Sequence, residues 1–470
     1  MTIIRSDPDV SSNRFHAVAE TFLNRPGLPF ADVLGADDIE RAFAEHDALF
    51  AADAIFSYAV VLWAFLGQSL RDGKGAACAA AVADITNYAQ QLGLPVPSGD
   101  TGDYCRARAK LPPAVLQTLT GHVAEGLDAQ APQWWLWHGR HGKLVDGFTF
   151  TMPDTPANQQ AFPQLTSQEP GVGFPIARAC AVLSLATGAI HDLAMGPYQG
   201  KETGEPALLR EILDSFHRGD VAVFDRCFCS YMMLALLQCR GVDVCARRHQ
   251  CRQTDLRRAK RLGAGDWLVT WVRPQRPDWM AQETYAAIPQ TLTLREVTFD
   301  VSEPGKRTER ITVVTTLTDP ATYPAEDIAE LYGFRWNAEL DILQIKQTLH
   351  LDHLRCKSPE MIVREVWVTL LAYNLIRKVI ATAAAVHDKQ PRQLGFTLAC
   401  QTVLSSWLLL ATDSCRDPGA TWDAALEHIA ANEVANRPGR IEPRVLKRRR
   451  HRYPLMTQPR EPLRRKLLKT

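Results

Sequence analysis

The chain lacks the marks of several protein classes. Its 11 cysteines are odd in number, contain no C-x-x-C pair and scatter from Cys78 to Cys415. That distribution excludes a secreted disulfide framework and points to a reducing cytosol. The one dense group is Cys227, Cys229, Cys239, Cys245 and Cys251, which reads as ordinary packing thiols rather than zinc ligands. Residues 1–15 are polar and lack the apolar core of a signal peptide, so no secretion leader is expected. No clean apolar run is long enough for a bilayer. Residues 59–70 are too few, and 367–386 are interrupted by Arg377 and Lys378, so both read as buried helices. A glycine-rich phosphate loop, an internal repeat and a clear helix-turn-helix pattern are also missing.

What is there is ordinary in bulk and uneven in detail. At 470 residues, 46% hydrophobic and 22% charged, the chain suits a folded protein of two or three domains. The formal net charge of +1 conceals a basic end: 437–470 hold 13 Lys and Arg against Glu442 and Glu461. Such a tail is expected to be extended or disordered and to meet phosphates or an acidic partner, a solvated terminus being the alternative.

Apolar spacing predicts helices over 39–50, 54–70, 76–92 and 114–127, so that 1–135 read as a helical region. The texture changes at Lys143. Residues 143–152, 176–185 and 190–196 read as strands, the last two around a Thr187-Gly188 turn. A helix over 207–217, a doubly buried strand at 221–224, a helix over 231–240 and a strand at 242–246 follow. This order predicts a mixed sheet flanked by helices within 136–350. Strand-rich material at 267–272, 292–301 and 310–317 forms an insertion spanning about 250–320. Helices dominate 351–436, ahead of the basic tail.

One segment is unusually informative. Pro324, Glu326 and Asp327 suit the start of a helix and its dipole. With Tyr332 at zero and a continuous helix, Arg335, Glu339 and Lys346 fall at roughly 300°, 340° and 320°, one narrow arc. Leu331, Phe334, Ala338, Ile342, Ile345 and Leu349 form the core side. A polar stripe of Tyr, Arg, Glu and Lys therefore borders the core, although geometry alone leaves an exposed face with incidental ion pairs as the alternative. Asp146 lies inside a β-branched and aromatic strand, and Asp225 ends an apolar one. Buried acids at such places are costly unless paired or metal-bound, though each alone also suits a cap or turn.

Taken together, Asp146-Gly147, Asp225-Arg226 and Tyr332-x-x-Arg335-x-x-x-Glu339-x-x-x-x-x-x-Lys346 resemble the DDE transposases of the bacterial insertion-sequence-four type. The resemblance extends over most of the chain, including 101–112 and 352–377. It implies an α/β, ribonuclease H-like catalytic domain. It also implies that Asp146, Asp225 and Glu339 hold two Mg²⁺ ions, with Mn²⁺ as a substitute, for phosphoryl transfer without a covalent enzyme intermediate. Tyr332, Arg335 and Lys346 would contact phosphates near the cut, with Trp336 and Arg226 beside them on the DNA. The implied partners are double-stranded DNA, as inverted-repeat ends and target, and a second copy of the chain in a synaptic complex, in the bacterial cytosol and away from membranes. The N-terminal helices would recognise the ends, with Tyr104, Arg106, Arg108 and Lys110 as a basic cluster, and 351–436 would dimerise. One departure stands out. Where relatives carry a base-stacking Trp, 309–313 hold no aromatic; Trp271 and Trp279 lie earlier in the insertion and read first as packing residues. A nuclease of the same fold without strand transfer, or a DNA-binding descendant without catalysis, are the competing readings.

Overall fold

A computed structural model of the chain describes residues 41–44, 50, 55–91, 95–301, 309–411, 418–434, 456 and 458–468. The chain divides into two compact units: Met1–Gly139 with Leu183–Asp192 and Glu339–Val434, and Arg140–Val182 with Leu193–Ala338 and Ala435–Thr470.

The first unit is helical. Its centre is the helix Pro359–Val386, against which Tyr58–Ser69, Pro113–Ala129, Phe396–Ala411 and Pro418–Ala431 pack. Among the described residues this is the one helix long and apolar enough to cross a membrane by composition, yet 89% of its most apolar window is buried inside the protein. Its polar residues explain how it stays inside. Asn374 bonds the backbone of Ile190 and Thr120. Arg377 pairs with Asp341, which Arg392 also reaches at 3.0 Å. A buried charge left without such a partner would cost several kcal/mol, about 3–5 when one member is removed. Of the expected N-terminal helices, 54–70 is realised from Tyr58, capped by the Ser57 hydroxyl, and 76–92 as Cys78–Gln91. Most of 39–50 lies outside the described residues.

The second unit contains most of a nine-stranded mixed sheet with β1 Gly142–Thr151, β2 Ile176–Ser184, β3 Ile190–Pro197, β4 Val221–Phe224, β5 Asp243–Arg247, β6 Lys260–Gly263, β7 Asp266–Val272, β8 Thr291–Val301 and β9 Glu309–Thr315. The order is β3-β2-β1-β4-β5-β9-β8-β7-β6. β4 reads VAVF and is buried throughout, as a central strand covered on both faces should be. It runs parallel to β1 and to β5. The insertion strands are not a separate layer: β9 adds antiparallel to β5 and carries β8, β7 and β6 outward, so one hydrogen-bonded sheet continues into the insertion. Arg140 fixes the start of the central strands by donating to Gly219 O, Asp220 O and Asp243 Oδ2 at 2.9, 3.2 and 2.7 Å.

The structure departs from the sequence expectations in several elements. The 207–217 helix is shorter, Glu205–Glu211 followed by a 3₁₀ turn at Leu213–Ser215. Strand β6 and the helix Gln282–Ala287 had no sequence signal of their own. The helix after Pro324 is two helices, Ala325–Gly333 and Trp336–Gln347. Gly333 is a weak helix former, and Arg335, Asn337 and Ala338 bond three residues back, as in a 3₁₀ turn, so a single 100° wheel does not run through Tyr332 and Glu339. In the tail, Arg460–Leu468 is helical rather than extended; Glu461 sits in its first turn, Arg465 and Lys466 in its last, and Glu461 pairs with Arg465 at 3.4 Å.

Candidate active site

Two aspartates meet through strand register. In the parallel pair of β1 and β4, Leu144 stands opposite Val223 and Val145 opposite Phe224. One step further, the same register brings Asp146 beside Asp225, where β4 ends and the chain leaves the sheet. Parallel neighbours at the same register project to the same face, so sheet pairing alone sets two carboxylates side by side at the carboxyl end of a central strand. Both residues are half-buried. Asp146 Oδ1 accepts the Gly147 amide at 2.9 Å.

The helix Ala325–Gly333 and the turn after it bring further groups to this pair. Tyr332 donates its hydroxyl to Asp225 Oδ1 at 3.4 Å, and an Arg335 nitrogen lies 4.0 Å from Asp146 Oδ2. Burial, reinforced by the charge of Asp225, pushes the Tyr332 phenol above its usual range, which keeps it a proton donor. Arg226 is exposed and bonds Gln250 at 3.2 Å. The hard oxygen donors of two adjacent, partly accessible carboxylates suit a divalent cation, with the arginine nearby for phosphate. Among the described residues no three His, Cys, Asp or Glu side chains already form a metal-holding cluster.

The remaining expected residues belong to other elements or are in other states. Glu339 and Lys346 belong to the helical unit, on Trp336–Gln347, where Lys346 pairs with Asp352 at 3.3 Å. Trp336 is 56% exposed. Tyr104 is fully buried with its hydroxyl on Gln68, which removes it from the basic cluster as a DNA contact. Trp271 is a buried packing residue beneath Arg252, whereas Trp279 is partly exposed under the Arg210 guanidinium. Of the dense cysteine group, Cys229 and Cys245 are packed thiols as expected, but Cys227, Cys239 and Cys251 are exposed.

Two features escaped the sequence reading. Glu205 lies against Gly147: a β-carbon there would stand 2.2 Å from its Cδ. Its carboxylate also accepts from Cys227 Sγ at 3.6 Å. Burial of that sulfur, then the charges of Glu205 and Asp225, hold the Cys227 thiol above its usual range. The Asp-Gly pair in β1 was the available signal, since a glycine mid-strand marks a close approach. The other feature is Asp341, which with Arg377 and Arg392 fixes the segment bearing Glu339; the cations Arg377 and Lys378 interrupting an apolar helix were its signal.

The chain belongs to the DDE transposases of the insertion-sequence-four type: the family model of the transposase DDE domain matches residues 137–375. It is 28% identical over 331 residues to the transposase InsG of insertion sequence element IS4 from Escherichia coli K12, covering 68% of this chain and 70% of that one. A shorter match, 40% over 73 residues, covers 16% of this chain and 19% of the putative transposase InsL of IS186A from the same organism. Among solved structures, the piggyBac transposase synaptic complex with hairpin DNA aligns over 90% of this chain and 86% of that one, at 10% identity and a TM-score of 0.42. The protein is therefore a DNA transposase, and its family implies use of a divalent metal.

Proposed function

We propose that the protein is a cut-and-paste transposase with a ribonuclease H-like core, in which Asp146, Asp225 and Glu339 are the catalytic carboxylates. The observation that carries this reading is the β1/β4 register, which sets Asp146 beside Asp225 with Tyr332 and Arg335 against them. The three carboxylates would hold two Mg²⁺ ions, or Mn²⁺ in their place. When bound, such ions supply an activated attacking oxygen and stabilise the leaving one.

The chain's own groups account for the rest. Arg335 neutralises charge on the scissile phosphate, and the protonated Tyr332 donates to a phosphate oxygen or to Asp225. Lys346, Arg226 and the exposed face of Trp336 extend the DNA contact. Helices within 1–135 bind the inverted-repeat ends, 351–436 join two copies in a synaptic complex, and 437–470 add phosphate contacts. Water cuts one strand at each end, and the freed 3′-hydroxyl attacks target DNA.

The test is cleavage of duplexes carrying the element's flanking inverted repeats in Mg²⁺, comparing wild type with Asp146→Asn, Asp225→Asn and Glu339→Gln. Loss of nicking in each variant with end binding retained supports the three-carboxylate site. Wild-type nicking rates in Glu339→Gln would remove that residue from the chemistry. Nicking without joining to target would favour the nuclease reading.

A further inference from the structure

The helical unit contains a cavity, far along the chain from the aspartates, that several cationic side chains line. It has a volume of about 150 Å³ and is lined by Gln68, Arg71, Cys78, Arg108, His353 and Arg355, among others. It is contained within this one unit, between the segments around Phe65–Cys78, Arg108 and Leu349–Thr369.

Among its lining arginines, Arg108 is the one with no direct carboxylate partner among the described residues. Arg71 is matched by Asp84. Arg355 bonds Gly73 O at 2.6 Å and approaches Asp72 at 3.4 Å. The lining carboxylate, Glu365, is spent on the backbone amides of Arg355 and Cys356 at 2.9–3.1 Å. Arg108 has no such partner. Its guanidinium lies over the Phe65 and Tyr104 rings, 4.6 and 5.7 Å from the centroids, and among the described residues its hydrogen bond is to the Gln68 amide oxygen at 3.3 Å. Its Nε is buried with no hydrogen-bond partner among the described residues.

A sheltered guanidinium with an unpartnered Nε has a donor to spare, and an anion entering the cavity would accept it. At the rim, His353 and Arg355 are exposed donors. His350 holds a left-handed backbone, φ 58°, a conformation costly for a residue with a side chain and often kept where function needs it.

We propose that this cavity seats a backbone phosphate of DNA, with Arg108 as its buried cation and His353 and Arg355 at its mouth. It is a phosphate contact additional to the one proposed at the carboxylates, and it rests on the reading of the protein as a binder of DNA ends. A phosphodiester matches the donors: it offers several oxygens, one charge and no requirement for a base-specific partner.

The experiment measures end-duplex affinity by fluorescence anisotropy over a series of KCl concentrations, for wild type, Arg108→Met and Arg108→Lys. Loss of one phosphate contact lowers the salt slope by about 0.9. The expected result is that drop for Arg108→Met and a near-wild-type slope for Arg108→Lys. A parallel readout is the melting temperature with and without inorganic phosphate at constant ionic strength. Phosphate raises it for wild type and not for Arg108→Met. If Arg108→Met unfolds, the test passes to Arg355→Gln at the exposed mouth, which should also lower the slope; an unchanged slope there overturns the proposal. An unchanged slope in folded Arg108→Met overturns the proposal while leaving the carboxylate reading intact. Phosphate stabilisation without a change in DNA slope would make this a site for free anions, and absence of end binding by wild type would sink both readings.

Discussion

Gly147 provides a sharp perturbation of the active site. In Gly147→Ala the new methyl would meet Glu205 Cδ, Cγ and Oε1 at 2.2, 2.5 and 2.6 Å, whereas ordinary contact begins near 3.4 Å. The backbone there is not left-handed, so the conflict is steric alone. Glu205 must therefore retreat by about 1.2 Å, as the whole side chain rather than its tip. An off-rotamer side chain costs about 0.5–1.5 kcal/mol, and losing the Cys227 contact adds about 0.5–1 kcal/mol. Removing a glycine from the unfolded chain returns about 0.4–1 kcal/mol. The net stability change is thus about 1 kcal/mol. Activity should respond more, because a misplacement of about 1 Å beside Asp146 can lower a rate about 100-fold. The assay is strand nicking on end duplexes together with urea unfolding, for Gly147→Ala, Glu205→Ala and the double variant. Removing the Glu205 side chain makes room for the methyl, so the double variant should nick at least about 10-fold faster than Gly147→Ala, a coupling above 1 kcal/mol. If it is as slow as Gly147→Ala, contact with Glu205 is not why β1 carries glycine, and the reasoning is refuted.

Two further outcomes follow from the packing. Arg295 is fully buried and bonds Asp266 twice, at 2.8 and 2.7 Å, so Asp266→Ala should cost about 3–5 kcal/mol in urea unfolding followed by tryptophan fluorescence. Asp266→Leu with Arg295→Met should recover most of it, and a single-variant loss below about 1 kcal/mol would show that the pair does not hold β7 to β8. Burial pushes the thiols of Cys229 and Cys400 up to about 12. At pH 8 they are protonated as well as shielded, so iodoacetamide should modify the exposed Cys239 and Cys251 first, as mapped by mass spectrometry; early labelling of Cys229 would contradict the packing around it.

The sequence by itself determined the local elements and the kinds of chemistry. The apolar run at Val221–Phe224, the β-branched stretch around Asp146 and the Ala-rich helices follow from side-chain periodicity, which is a short-range property of the chain. The Tyr-Arg-Glu-Lys spacing was legible for the same reason, since motif spacing needs no tertiary information. Tertiary structure decided what no local pattern encodes. That Asp146 stands beside Asp225 is a matter of parallel register between strands about 80 residues apart. That the insertion strands join β5 through β9 is a pairing choice, because a strand edge is satisfied by whichever backbone reaches it. The break at Phe334-Arg335 overrode a helical wheel that looked continuous, Tyr104 went inward to Gln68 although its neighbours are basic, and Arg377 found Asp341 from another helix. Each of these depends on which surfaces are brought together, and burial turns a polar residue's role from solvated to paired only once that partner is in place.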